Sequence, residues 1–248
     1  MVILIIAIIA WELAAILVHS YYFPSFTAVV RAFVTLNITG DFDGYNLLAH
    51  TTASIFRVLA GFSLACAIGI PLGLAMGLKT SIYDTSKSIL EPLRFIPPLA
   101  WIPLAFILFA GYSRYVFIIW LGAFFPILLN AMVAVKRTNP ILVDVSKTFG
   151  ANWRTTVLKV VVPSALPEVV AGMRIGLGIG WMCIVAAEMV GGEMVGLGRL
   201  IWKYVGWGPE VDMIVVGMIT IGLIGLIMNE MFLQAEKRLF RWRVEVKM

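Results

Sequence analysis

Residues 144–167 read DVSKTFGANWRTTVLKVVVPSALP, and this polar interruption of an otherwise apolar chain decides the fold. It carries too much charge to lie in lipid. Lys147, Arg154 and Lys159 are interleaved with Phe149, Trp153, Val157 and Val160 at helical spacing, which predicts a short amphipathic helix on each side of Gly150. Gly150 is expected to supply a left-handed turn between them, and Pro163 and Pro167 to end the second helix and launch the next apolar run. A helix-turn-helix lying on a membrane face is a docking surface. On pattern alone, the plainer reading is an interfacial loop whose basic residues only set topology.

Working outward, the whole chain of 248 residues is 61% hydrophobic and 13% charged, with a mean hydropathy of +0.96. That lies far outside the range of soluble domains and predicts an all-α integral membrane protein. The net charge of +5 does not point to nucleic acid, because the basic residues cluster at the ends of apolar spans rather than along one stripe. Cys66 and Cys183 both fall in apolar runs as small hydrophobes, and His19 and His50 sit at span edges in ordinary interfacial roles. No metal or catalytic set is implied.

Six spans are expected and no soluble domain. They cover residues 2–18, interrupted only by Glu12, then about 51–78 with Pro71 inside, a kinked stretch with Pro97, Pro98 and Pro103, about 115–133, 167–190 and about 213–232. Residues 21–46 read as a turn-rich connection, and residues 79–94 as a polar link. The Gly-rich connector from Gly191 to Gly208 suits either a short re-entrant helix or a solvated loop.

Lys and Arg set the orientation. Arg57 and Arg174 fall inside spans, and only Arg31, Arg114, Arg199 and Lys203 lie on one side. The rest occupy the links after spans two and four and the C-terminal tail, including Arg241, Arg243 and Lys247. Both termini and the 144–167 segment are therefore expected in the cytoplasm. Ionisable groups inside a span are costly unless paired. Arg174 and Glu188, fourteen residues apart, are separated by about 21 Å along one helix and cannot pair. Arg57 and Glu188 match in depth, so an interhelical ion pair that fixes packing or lines the outer mouth of a pathway is expected. Arg174 is expected to snorkel to the headgroups or meet an acidic loop residue.

The spacing of the opening stretch resembles the loop of ABC importer permeases: Glu-Ala-Ala, three residues, Gly, nine residues, Ile-x-Leu-Pro. Here Asp144-Val145-Ser146, Gly150 and Val160-Val161-Val162-Pro163 keep every interval, with Asp in place of Glu and Val-Ser in place of Ala-Ala. FPSFTAVV, HTTASIFRVLAGF, GIPLGLAMG, LRFIPPLAWIPLAFILFAG and AAEMVGGEMVGLGRLIW are similar to the nitrate, sulfonate, taurine and bicarbonate branch, over nearly the whole chain.

The resemblance implies a type I importer permease fold, a single transmembrane permease domain over 1–248 with a cytoplasmic coupling loop at about 135–166. It implies a homodimer of permeases in the lipid bilayer, two ATP-binding subunits and an external substrate-binding protein. The coupling residues would be Asp144, Ser146, Lys147, Phe149, Gly150, Trp153, Arg154 and Pro163. Trp153, Phe149 and Val157 would serve as apolar anchors in a groove of the ATPase. Arg57, Pro97, Pro98, Trp101, Arg174 and Glu188 are candidates for the pathway or for helix packing.

No cofactor is expected on this chain. The nearest approach to a P-loop, Gly77-Leu78-Lys79-Thr80, has the wrong spacing and ends a membrane helix, so ATP and Mg would be bound by the partner ATPase. The competing classes are a secondary transporter or channel, which would be expected to show internal repeats and mid-span ion ligands, and a membrane enzyme, which needs a cluster of reactive side chains.

Overall fold

The computed structural model describes residues 2–205 and 210–240, and among these every regular element is a helix. In chain order they are α1 (Val2–Val18), α2 (Phe26–Ile38), α3 (Leu47–Leu78), α4 (Thr80–Arg94), a 3₁₀ turn (Pro98–Trp101), α5 (Ile102–Leu108), α6 (Tyr112–Lys136), α7 (Pro140–Thr148), α8 (Trp153–Thr156), a π turn (Val157–Val161), α9 (Val162–Val190), α10 (Leu197–Tyr204) and α11 (Val211–Leu239). Four helical runs are long and apolar enough to cross a bilayer: α3, α6, the run Trp153–Val190 and α11. The pair formed by α4 and the segment Pro98–Leu108 passes the same test together, and α1, with 17 residues, sits at the short end of what spans.

The kink expected near the start of the third span is a full break, with two segments bent by 84°, and the polar link of residues 79–94 before it is itself a helix. Consecutive Pro97 and Pro98 remove two amide donors and push the residue before each into extended geometry, so no helix can run through them. Residues 21–46 also hold a helix that turn residues had masked. Ser25 caps α2 by accepting from the Ala28 N–H (3.2 Å), and Val29, Ala32 and Leu36 make its buried stripe.

The described chain divides into two compact units, one within residues 1–56 and 184–226, the other within 57–183 and 227–248. In the first, Glu12 is the charge that interrupts α1, and its carboxylate accepts from the backbone N–H (3.1 Å) and hydroxyl (2.8 Å) of Thr27 in the first turn of α2. An anion there complements the unpaired N–H groups and positive end of the helix. The indole N–H of Trp11 donates to the Pro24 carbonyl (3.0 Å) and fixes the same corner.

The second unit is built around α6, the most buried of the four long apolar helical runs. Small residues at intervals of four on α3 (Gly61, Ala65, Gly69, Gly73, Gly77) let its backbone approach. A Cβ at Gly73 would stand 2.4 Å from the Leu128 carbonyl oxygen, and one at Gly61 would stand 2.5 Å from Ile119. Gly172, Gly176 and Gly180 form the matching stripe on α9, where a Cβ at Gly172 would meet Asn130 at 2.4 Å. Helices with no hydrophobic drive between them associate by this close van der Waals approach.

Candidate functional site

Residues 144–167 lie within the second unit. Asn139 caps α7 by accepting from the Ile141 N–H (2.9 Å), with Pro140 in the first turn where its missing donor costs nothing. At the other end Gly150 has φ +79°, its N–H donates to the Lys147 carbonyl (2.8 Å), and the Ala151 N–H reaches back to the Ser146 carbonyl (3.0 Å). Those two bonds and the left-handed glycine are a Schellman stop. Asn152 then caps α8 through the Thr155 N–H (2.9 Å), and the hydroxyls of Ser146 and Thr156 join the two helices at 3.0 Å.

The apolar residues of this hairpin divide into two sets. Phe149 is 87% exposed, Trp153 61% and Leu158 68%, while Val157 and Val161 are buried. Val157, expected as an exposed anchor, instead lines a recess of about 340 Å³ with Leu78, Val143 and Trp153. Asp144 and Lys147 pair at 3.4 Å on the exposed side of α7, and Arg154 lies on the exposed side of α8. Pro163 and Pro167 do not end the second helix. The helix runs from Trp153 to Val190 and widens to a π turn at Val157–Val161, where the Val162 N–H bonds to the Val157 carbonyl. A π turn shifts the carbonyls that a proline ring would otherwise strike, so Pro163 is carried without a break. The second arm of the hairpin and the fifth span are therefore one continuous helical run, Trp153–Val190.

The first unit holds a polar network that the sequence did not disclose. The carboxylate of Glu188, fully buried on α9, accepts from the Ser54 hydroxyl (2.9 Å) and the Gly198 N–H (3.0 Å), and Ser54 Oγ in turn accepts from the Leu197 N–H (2.9 Å). Two orphan donors in the first turn of α10 are thereby satisfied by one carboxylate and one hydroxyl. His50, also fully buried, lies against the Gly196 backbone, 3.0 Å from its N–H nitrogen, and its Nε2 is 3.2 Å from Asp41 Oδ2. Asp41 further accepts from the N–H groups of Asp43 and Tyr45 and from Lys203 Nζ at 2.5 Å, and Lys203 also contacts Asp43. Burial pushes the Asp41 carboxyl up, but the Lys203 ammonium and the two N–H donors outweigh it and hold the group below its ordinary value. The Gly-rich connector is thus helical at α10, with Leu197, Leu200, Ile201 and Tyr204 buried, and His50 is no interfacial residue.

The remaining candidates are dispersed. Arg57 is buried with its guanidinium 4.7 Å above the Tyr115 ring. Pro97 and Pro98 make the break before α5, and Trp101 stacks edge-on to Phe117 at 6.5 Å between centroids. Arg174 has an acidic neighbour. It lies 3.9 Å from Glu236 of α11, a helical partner rather than a loop one. Of the basic tail, Arg241, Arg243 and Lys247 lie outside the described residues.

This architecture is that of the type I ABC importer membrane subunit. It superposes on the membrane subunit of the MetNI methionine ABC transporter, in inward-facing form, with a TM-score of 0.69 over 77% of this chain and 95% of that one, at 19% identity. A chain of an amino acid ABC transporter gives a TM-score of 0.58 at 16% identity, covering 79% and 97%. The chain belongs to the binding-protein-dependent transport system inner membrane component family, whose profile matches residues 69–240.

It is 39% identical to a protein of Methanocaldococcus jannaschii named as an ABC transporter permease, over 98% of this chain and 91% of that one. It is 30% identical to the taurine transport system permease of Escherichia coli (96% and 86%), and 35% identical to the bicarbonate transport system permease of Synechococcus elongatus (74% and 66%). The protein is therefore a multi-pass permease subunit of an ABC importer, a transport component rather than an enzyme. ATP hydrolysis belongs to a separate subunit, and the family name carries a binding protein as partner. The secondary-transporter, channel and membrane-enzyme readings do not survive family membership.

Proposed function

We propose that two copies of this chain form the translocation pathway for a small anion of the nitrate, sulfonate, taurine or bicarbonate kind, with both termini and the α7–α8 hairpin in the cytoplasm. Phe149 and Trp153 anchor in a groove on each of two ATPase subunits, with Asp144, Lys147 and Arg154 at the polar rim. Closure of the ATP- and Mg-loaded ATPase pair displaces the hairpin, and the unbroken run from Trp153 to Val190 carries that displacement into the membrane. Continuity of this helix through Pro163 is the observation that carries the reading. Ser146 and Gly150 act by keeping the hairpin rigid, so the two anchors move together.

Gly150→Pro tests it, because proline is confined to φ near −65° and position 150 stands at +79°. Membrane insertion should persist while ATP-driven uptake is lost, and normal uptake by that variant would remove the coupling role. The match in depth of Arg57 and Glu188 along their spans keeps an interhelical ion pair between them part of the proposal. Glu188→Gln, which keeps an acceptor for Ser54 and Gly198, should weaken assembly when Arg57 is present and have little further effect in Arg57→Gln, and additive losses would discard the pair.

A further inference from the structure

Within the second unit α3 and α6 run parallel. Gly61, Gly69, Gly73 and Gly77 of α3 lie against Ile119, Ile127, Ala131 and Val135 of α6 in that order, so both helices end, at Leu78 and Lys136, on one face of the bilayer. Tyr112 opens α6 on the other face, and residues 79–111 must cross between them. The hydrocarbon layer they cross is about 30 Å thick. The segment Pro98–Leu108, four residues of 3₁₀ helix and seven of α-helix, rises only about 18 Å, and the 15 residues of α4 rise about 22 Å. Neither crosses alone. Joined at a bend of 84°, the two reach about 30 Å from end to end, so α4 descends from the face where α3 ends to about mid-bilayer and brings Arg94, its last residue, to that depth.

The side-chain contacts follow the same path. The Lys136 ammonium lies 4.3 Å from the centre of the Tyr83 ring, near the start of α4. Trp101 and Phe109 meet Phe117, and Phe106 meets Tyr115, toward the opposite end of α6. Between α4 and α6 runs a narrow cleft with Lys87, Glu91 and Arg94 on one side and Phe125, Leu128 and Met132 on the other. The three charged residues are spaced i, i+4, i+7 on one face of α4 and all are exposed, whereas Ile89, 65% exposed, falls on the far side. Asp84 neutralises Lys87 at 3.0 Å, nearer the surface, which leaves Glu91 and Arg94 as the deep charges. Such groups are too costly to present to acyl chains, and a helix broken at membrane depth is tolerated only where it is buried in protein or lines water.

Resting on the importer reading above, we propose that the Lys87–Glu91–Arg94 stripe lines the translocation passage over the half where α3 and α6 end, with Arg94 its deepest fixed cation, beside the Pro97–Pro98 break. A solute leaving by that half passes the Arg94 guanidinium, while Ile89 on the far side of α4 faces lipid.

The full chain, altered by Cys66→Ser and Cys183→Ala and purified with its ATPase subunit in nanodiscs, allows a direct test. Arg94→Cys and Ile89→Cys, each carrying a nitroxide, report collisions with a water-soluble nickel chelate and with oxygen, which concentrates in lipid. The label at position 94 should meet nickel at least about three-fold more often than the label at 89, and the label at 89 should meet oxygen more often. Trapping the closed ATPase pair with ATP, Mg and vanadate should change nickel access at 94 by about two-fold or more and leave 89 as it was. Glu91→Cys, on the same stripe, supplies the same measurement should Arg94→Cys fail to assemble. Lipid-type surroundings at 94, nickel access at both positions, or nickel access at 94 that trapping leaves unchanged each overturns the proposal. Failure of the ATPase subunit to co-purify with the unaltered chain would instead strike the importer reading.

Discussion

The α7–α8 hairpin and the network around Glu188 solve opposite problems. The hairpin leaves large apolar side chains exposed and satisfies its own backbone locally, through Asn139, Gly150 and Asn152, each within three residues of the group it serves. The network buries its charges and satisfies them from afar: Ser54 and Glu188 are 134 residues apart, and Asp41 and Lys203 are 162 apart. An exposed hairpin can be specified locally, because its own caps and water satisfy its backbone. A buried charge must find every acceptor and donor within the chain, or pay the desolvation penalty unrelieved.

The sharpest way to break this contrast is Gly196→Ala. Gly196 has φ +153°, and a Cβ there would sit 2.5 Å from the Glu188 carboxyl carbon, so the variant should lose several kcal/mol (about 3–5) through strain and a displaced buried carboxylate. Loss of folded protein after detergent extraction would show it, and a wild-type thermal midpoint would refute it. Next comes the hairpin's outer surface. Phe149→Ala with Trp153→Ala should cost about 2–4 kcal/mol of ATPase affinity and move the permease's own unfolding midpoint little, as read by co-purification beside a melting curve.

Ser54→Ala removes one donor to Glu188 and the acceptor of the Leu197 N–H, and should cost about 1–3 kcal/mol of stability without reducing ATPase association. Gly150→Ala should cost roughly 1 kcal/mol, since nothing stands within 4 Å of the new Cβ and only the left-handed backbone is strained. The smallest effect concerns pH. The Asp41 carboxyl is held below its ordinary value, so its contribution is complete above the unfolded-state value of about 3.9 and is lost as pH falls through the folded-state value. The melting midpoint should drop over that acid interval in the unaltered chain and drop less in Asp41→Asn.

How far the sequence could be read follows the same division. Gly150, the polar face of α7 and the run of apolar spans were legible because turn chemistry and hydropathy act over a few residues. Val157 was misplaced because helical spacing alone does not say which side of a hairpin meets its neighbour, and α3 and α7 close over that side. The break at Pro97–Pro98 was visible, yet its size was not, since a proline pair stops a helix without fixing the direction of the next segment. Pro163 misled for the converse reason, as a π turn absorbed it. The only sequence hint of the network was Gly-Leu-Gly ahead of an amphipathic helix with Glu188 upstream, and that pattern names neither Ser54 nor His50.

Composition, the six apolar stretches and the interval from Asp144 through Gly150 to Pro163 determined that this is a membrane permease with a polar hairpin between its spans, because each depends on forces that act between residues close in the chain. Tertiary structure alone decided that Glu188 caps α10 and that Lys203 is held by Asp41 and Asp43. Each of those outcomes depends on which distant groups share a low-dielectric space, and a linear order of residues does not contain that information.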